Sequence, residues 1–286
     1  MKNNARKRMR ALLEDQQCVT CASVFDPLSS RMADDIGFKV GILGGSVASL
    51  MTLGAPDIYL LTLNELVQQA KRVCSASDLP VIVDGDNGYG NSLNVMRAVT
   101  DLEYAGASMI TLEDTILPRP HGESELCLYE IEEAQAKLRA ALKARTDPEF
   151  AIFARTHALP SQSLDSLLER VRAYSAVGVD GICIFGLSEK DKLALLSEVT
   201  DLPTMLINYG DVDLGAKDEL VRQNVRIRFA GHEAYEQSVK AVYESLMQLH
   251  LGGVEAEPMR SAKEVVRRYS KSNEYNALAS EYVFSG

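Results

Sequence analysis

The stretch VIVDGDNGYGN, Val81 to Asn91, decides how the rest of the chain is read. Val81, Ile82 and Val83 form a short apolar, β-branched run, the mark of a strand buried on both faces. It passes directly into Asp84 and Asp86, on a loop that Gly85, Gly88 and Gly90 leave free to turn sharply. A buried strand with carboxylates at its carboxyl end is typical of a parallel α/β sheet at the edge where chemistry gathers.

Seven other runs have the same character: 19–25, 40–45, 108–114, 150–156, 180–185, 203–208 and 225–231, beside 80–84. Helical patterns such as LNELVQQAKRVCSAS (63–77), YEIEEAQAKLRAALKART (129–146) and LDSLLERVRAYSAVGVD (164–180) lie between them, with apolar residues recurring at three and four. Eight strands alternating with helices predict an α/β fold, a (β/α)8 TIM-type barrel. A doubly wound sheet fits less well, because no G-x-G-x-x-G turn follows the first strand. No Pro-, Gly- or Ser-rich linker divides the chain, so 1–286 reads as a single barrel domain with 254–286 as a C-terminal helical extension.

Composition narrows the function. Thirty basic against forty acidic residues in 286 give a net charge of -10, which disfavours nucleic acid and favours a small-molecule partner. No apolar run approaches the roughly 20 residues of a membrane span. MKNNARKRMRALLEDQQ lacks the apolar centre and cleavage site of a signal peptide, which predicts a cytoplasmic protein. Five cysteines read as reduced thiols. Cys18 and Cys21 form a C-x-x-C, but on a strand they face opposite ways and do not make a metal site.

The expected strand ends are polar: Asp26; Gly44, Gly45 and Ser46; Asp84 and Asp86; Glu113 and Asp114; Arg155 and Thr156; Asn208 and Tyr209; Gly231 and His232. Carboxylates converging with no local lysine repel one another unless a divalent cation joins them. All-oxygen donors select a hard ion, Mg2+ with Mn2+ as the alternative. An EF-hand is excluded, because Gly88 replaces its third ligand and Tyr89 its turn glycine.

At this point VIVDGDNGYGNSLNVMRAVTDLEYAGASMITLED (81–114), with VFDPLSSRMADDIGF (24–38) and GILGGSVAS (41–49), resembles the phosphoenolpyruvate mutase and isocitrate lyase superfamily. GGSVAS, the ART of 154–156 and the GH of 231–232 are most similar to its bacterial oxaloacetate decarboxylase branch. The resemblance implies terminal helices swapped between subunits of a homotetramer, a dimer of dimers, and an α-keto dicarboxylate bound through Mg2+. It also implies Asp84 as the direct metal ligand, with Asp86, Glu113 and Asp57 holding metal-bound waters. Ser46, with Gly45, and Arg155 would bind the substrate carboxylate, and His232 would touch the substrate. One departure matters: the loop DTILPRPHGESELCLYE (114–130) lacks the K-[RK]-C-G-H of the carbon-carbon lyases, and Cys127 reads as structural. His157 stands where relatives often carry Asn.

These residues would suit a decarboxylase. Were an α-keto acid held through the metal to lose CO2 from C4, Ser46 and nearby backbone donors would share the developing charge and Arg155 would fix the carboxylate. His232 would orient the departing carboxylate or supply a proton; the bland alternative is a structural histidine. Ser46 also suits a helix N-cap. Asp26 and Tyr209 stand further from the chemistry, His121 lies on an expected lid, and His250 suits a helix end. The expectation is Mg2+-dependent conversion of oxaloacetate to pyruvate and CO2. The alternatives are a lyase or hydrolase acting on a substituted malate, isocitrate or oxaloacetate, and a non-catalytic dicarboxylate-binding barrel.

Overall fold

The computed structural model describes residues 2–210, 212–251 and 261–284. Nine strands make one parallel sheet: β1 (Val19–Thr20), β2 (Ala22–Ser23), β3 (Gly41–Leu43), β4 (Val81–Asp84), β5 (Met109–Glu113), β6 (Ala151–Thr156), β7 (Gly181–Phe185), β8 (Thr204–Ile207) and β9 (Val225–Phe229). Their order runs β1-β9-β8-β7-β6-β5-β4-β3-β2. Only Cys21 separates β1 from β2, so the two ends of the sheet are one segment and the sheet closes on itself. The result is the expected TIM-type barrel. The first strand differs in detail: it is two short pieces ending at Ser23 rather than one run to residue 25. Barrel closure is the reason, since Val19 and Thr20 pair with β9 while Ala22 and Ser23 have turned to β3.

Two cores follow from the period-two alternation of the strands. Inward residues such as Ile42, Ile82, Met109, Phe153, Met205 and Ile227 fill the barrel, and outward residues such as Val83, Ile110, Ile152 and Ile184 pack on the helices. The helix Lys2–Glu14 adds Met9, Leu12 and Leu13 to the inner core. Its arginines tie it to the barrel: Arg6 Nη1 pairs with Asp147 and Arg10 Nη1 with Asp180, each at 2.6 Å. Cys18 and Cys21 are buried free thiols, both pushed upward by burial, the opposite of an activated pair.

Helix boundaries obey local chemistry. Thr62 and Glu65 form a capping box ahead of Leu63–Cys74, and Asn91 caps Ser92–Ala105, which closes on Gly106 in the left-handed conformation. Asp26, expected among the strand-end acids, is instead the N-cap of Pro27–Ile36, its carboxylate accepting from the Ser29 amide at 2.7 Å. Of the expected extension over 254–286, residues 254–260, 285 and 286 lie outside the described residues. The remainder forms the helices Ala262–Tyr269 and Ser272–Tyr282. No described helix is long and apolar enough to cross a membrane.

Candidate active site

The alternation that builds the inner core also delivers the polar cluster. Ile82 and Asp84 share the inward face of β4, Met109, Thr111 and Glu113 that of β5, and Ala151, Phe153 and Arg155 that of β6. In each strand the lower residues are barrel core and the last one emerges at the carboxyl rim. Register then sets Asp84 beside Thr111 and Glu113 beside Arg155.

Arg155 is the hub. Its Nη1 lies 2.6 Å from Asp84 Oδ2 and its Nη2 3.2 Å from Glu113 Oε2. From the other side, Nε and Nη2 approach His157 Nε2 at 3.2 and 2.9 Å. Expected to meet the substrate carboxylate, this arginine also holds two internal carboxylates inside the candidate site. Burial opposes ionisation of Asp84, but the charge and hydrogen bond of Arg155 outweigh it and hold that carboxyl below its usual range. His157 goes the other way: burial, then the arginine's charge, lowers it to about 3. A neutral imidazole leaves Nε2 free to accept.

The other three acids are shifted upward on balance. Burial raises Asp86 well above the usual carboxylate range, and Asp84, Asp57 and Glu113 raise it further. Asp57 is exposed along much of its length, yet its enclosed carboxyl and the nearby Asp84 charge raise it to about 6. Glu113 is raised by burial, with Arg155 opposing. Asp86 sits at φ 45°, in the left-handed region, and this brings its amide 3.3 Å from Asp84 Oδ1. A Cβ on Gly45 would stand 3.1 Å from Asp57 Oδ2, a tight contact, and 3.5 Å from Asp86 Oδ1, an ordinary one, so both carboxylates face the first residue of the helix Gly45–Leu53.

Among the described residues no three His, Cys, Asp or Glu side chains form a ready-made metal cage. The donor set nevertheless fits Mg2+, which keeps most of its waters and takes one or two carboxylates directly. Repelling acids around this spot have the charge such an ion neutralises. The same repulsion gives a stability prediction. A carboxyl raised above its unfolded value holds its proton more tightly in the fold, so its contribution to stability is full below the unfolded value and is lost as pH rises through the folded one. Asp86→Asn should therefore raise the melting temperature of the metal-free protein by about 2–4 °C and reduce the further rise that Mg2+ produces, both read by calorimetry.

Ser46 is not the N-cap; Gly44 holds that position and Ser46 lies inside the helix Gly45–Leu53, its Oγ 3.2 Å from Asp57 Oδ2. His232 stands across the rim with Nδ1 2.7 Å from Ser23 Oγ and its ring against Phe229, centroids 4.9 Å apart. A Cβ on Gly44 would meet its Cε1 at 2.7 Å and Nε2 at 2.9 Å, so glycine is what lets the imidazole reach the start of the Ser46 helix. Burial lowers His232 to about 4 and keeps it neutral. Tyr209 is half exposed, its ring 6.3 Å from His232. Asp114 does not join the cluster: it is buried beneath, held by Arg170, Tyr174 and Thr156.

Asp57, Asp84, Asp86, Glu113, Arg155 and His157 line one pocket of about 540 Å³. Its outer wall is the loop after β5 and the helix Ser272–Tyr282, joined where the Gly122 amide donates to Val283 O at 2.7 Å. His121 on that loop is exposed. The sequence reading missed Ser23, which looked like an ordinary strand residue. It also missed Lys137, a buried ammonium whose Nζ lies 3.8 Å from the Tyr129 ring centroid in a small cavity that Glu113 also lines. Burial lowers it to about 8.

Residues 9–250 match the model of the phosphoenolpyruvate phosphomutase family. The chain is 45% identical over 281 residues to the oxaloacetate decarboxylase of Chromohalobacter salexigens, covering 98% of this chain and 96% of that one. Its fold is similar to that of oxaloacetate acetylhydrolase in complex with the inhibitor 3,3-difluorooxalacetate, at TM-score 0.79 and 26% identity over 96% of this chain and 97% of the other. It is also similar to phosphonopyruvate hydrolase in complex with oxalate and Mg2+, at TM-score 0.76 and 27% identity over 96% and 98%. With its barrel, its acidic rim and this match over most of its length, the chain belongs to the phosphoenolpyruvate phosphomutase family.

Proposed function

We propose that this protein converts oxaloacetate to pyruvate and CO2 with the help of Mg2+, with Mn2+ as a substitute. The observation that carries the reading is the meeting of Asp57, Asp84, Asp86 and Glu113 with Arg155 at one rim of the barrel. The similarity to relatives named oxaloacetate decarboxylase adds the substrate.

Asp84 is the direct ligand in this reading, and Asp86, Glu113 and Asp57 hold the ion's waters. When bound, the ion supplies a Lewis acid for the negative charge that develops on the C2 oxygen as C4 leaves. The chain's own residues do the rest. The first amides of Gly45–Leu53, with Gly45 and Ser46 at its start, receive a substrate carboxylate as helix N-termini receive anions. Arg155 first fixes Asp84 and Glu113, and its planar fork offers the substrate a cation that does not titrate. His232 is neutral above about pH 4, so we assign it to orienting the substrate by a hydrogen bond, and the proton that C3 takes up to give pyruvate comes from solvent water.

Because His232 reaches the site only over a bare Cα, Gly44→Ala should leave the fold intact and lower kcat by about tenfold or more, checked by steady-state kinetics beside circular dichroism. The function itself is tested by proton NMR of oxaloacetate incubated with protein and Mg2+, set against Mg2+ alone. Enzyme-dependent pyruvate supports the decarboxylase. Acetate and oxalate would move the protein to hydrolysis, and the absence of any excess product would sink both.

A homotetramer belongs to this proposal too, in which the helix Ser272–Tyr282, here closing this chain's own pocket, would close a second copy's instead. Leu28, Met32 and Ile36, four residues apart on one helix, are exposed at 64%, 57% and 72%, an apolar stripe suited to a second copy. Light scattering should give four times the mass of one chain. Placement in the cytoplasm is proposed on the thiols of Cys18, Cys21, Cys127 and Cys183, which form no disulfide.

A further inference from the structure

The histidine at the rim has a partner that the reaction scheme leaves unused. Ser23 is the last residue of β2, and its Oγ lies 2.7 Å from His232 Nδ1, a short and well-formed contact for a hydroxyl and an imidazole. The far edge of the ring, with Nε2, reaches over Gly44 to the start of Gly45–Leu53. The ring faces Phe229 and Tyr209, and neither carries a charge that would hold it protonated. A neutral imidazole has one N–H, and its position is set by the bond at the other nitrogen. If Ser23 donates to Nδ1, Nε2 carries the proton and joins the helix amides as a donor. If Ser23 accepts, Nε2 presents a lone pair to the place where a carboxylate is to sit, and the two repel.

We infer that Ser23 is a positioning residue that donates its hydroxyl proton to His232 Nδ1 and so fixes the Nε2–H tautomer, aiming a donor at the substrate carboxylate. This rests on the proposed placement of a substrate carboxylate beside Ser46 and His232. Ser23 acts only through the histidine, so it should matter only while the histidine is present.

The test is a double-mutant cycle on the Mg2+-loaded protein with oxaloacetate: Ser23→Ala, His232→Gln, the two combined, and Ser23→Thr as the variant that keeps the hydroxyl. Ser23→Ala should lower kcat by about tenfold, the loss expected for one hydrogen bond that matters in the transition state. The double variant should be no worse than His232→Gln, and Ser23→Thr should recover most of the rate. Nitrogen NMR of the imidazoles, with His232→Gln assigning the signal, should show Nε2–H in the wild type and a tautomer mixture in Ser23→Ala. Loss in His232→Gln beside an unaffected Ser23→Ala, additive losses, or an Nδ1–H tautomer in the wild type would overturn the inference and leave the site reading standing. A His232→Gln enzyme at the wild-type rate would overturn both.

Discussion

Asp84→Ala is expected to remove Mg2+-dependent turnover of oxaloacetate, lowering kcat on the order of 10³-fold because the charge stabilisation supplied at C2 is worth several kcal/mol. The residue stands at the end of β4 with its carboxylate bound by Arg155 and approached by the Asp86 amide, so it is already ionised and oriented before any ion arrives. The loss should be visible without catalysis. Mg2+ should raise the melting temperature of the wild type, as any ligand specific to the folded state does, and should leave that of Asp84→Ala unchanged. A variant that lost activity but kept the full Mg2+-induced shift would show that Asp84 does not hold the ion.

Arg155→Met should be the most damaging change to the fold among the site residues. Asp84 and Glu113 lie against Arg155, a residue only 8% exposed, and removing its guanidinium leaves two buried carboxylates without their cation. Breaking a buried pair in this way costs about 3–5 kcal/mol. Metal-free Arg155→Met should melt well below the wild type, and Mg2+ should restore part of the difference by meeting the same carboxylates. Arg155→Lys keeps the charge but not the planar fork, so it should retain most of the stability and still lose on the order of 10²-fold in kcat/KM. Calorimetry and kinetics on both variants separate the two duties; equal stability in the two would contradict the electrostatic role given to Arg155.

The parts of this molecule that were legible in advance are those written in short periods. Alternation along β4, β5 and β6 gives both the strands and the face on which Asp84, Glu113 and Arg155 emerge, and the acids at the strand ends carry their own repulsion with them. What stayed hidden depends on distant segments meeting. The break at Cys21 follows from the need to pair with β9 on one side and β3 on the other. Asp26 reads equally well as a strand-end acid and as a helix cap, and only the turn into Pro27 decides for the cap. Ser46 sits two residues past Gly44 rather than at the N-cap, a difference of register too fine for composition to resolve. Ser23 and His232 are separated by most of the chain, and no local signal joins them. Lys137 looked like one of many helix lysines until packing set it on Tyr129.

The carbon at C4 carries the central claim. Oxaloacetate labelled with 13C at that position, incubated with the Mg2+-loaded protein, should release the label as CO2 at a rate that exceeds Mg2+ alone and that Asp84→Ala cannot match, with unlabelled pyruvate left behind. Label recovered in acetate would mean that the C2–C3 bond breaks with C4 retained, and the account of this site as a decarboxylase would be wrong.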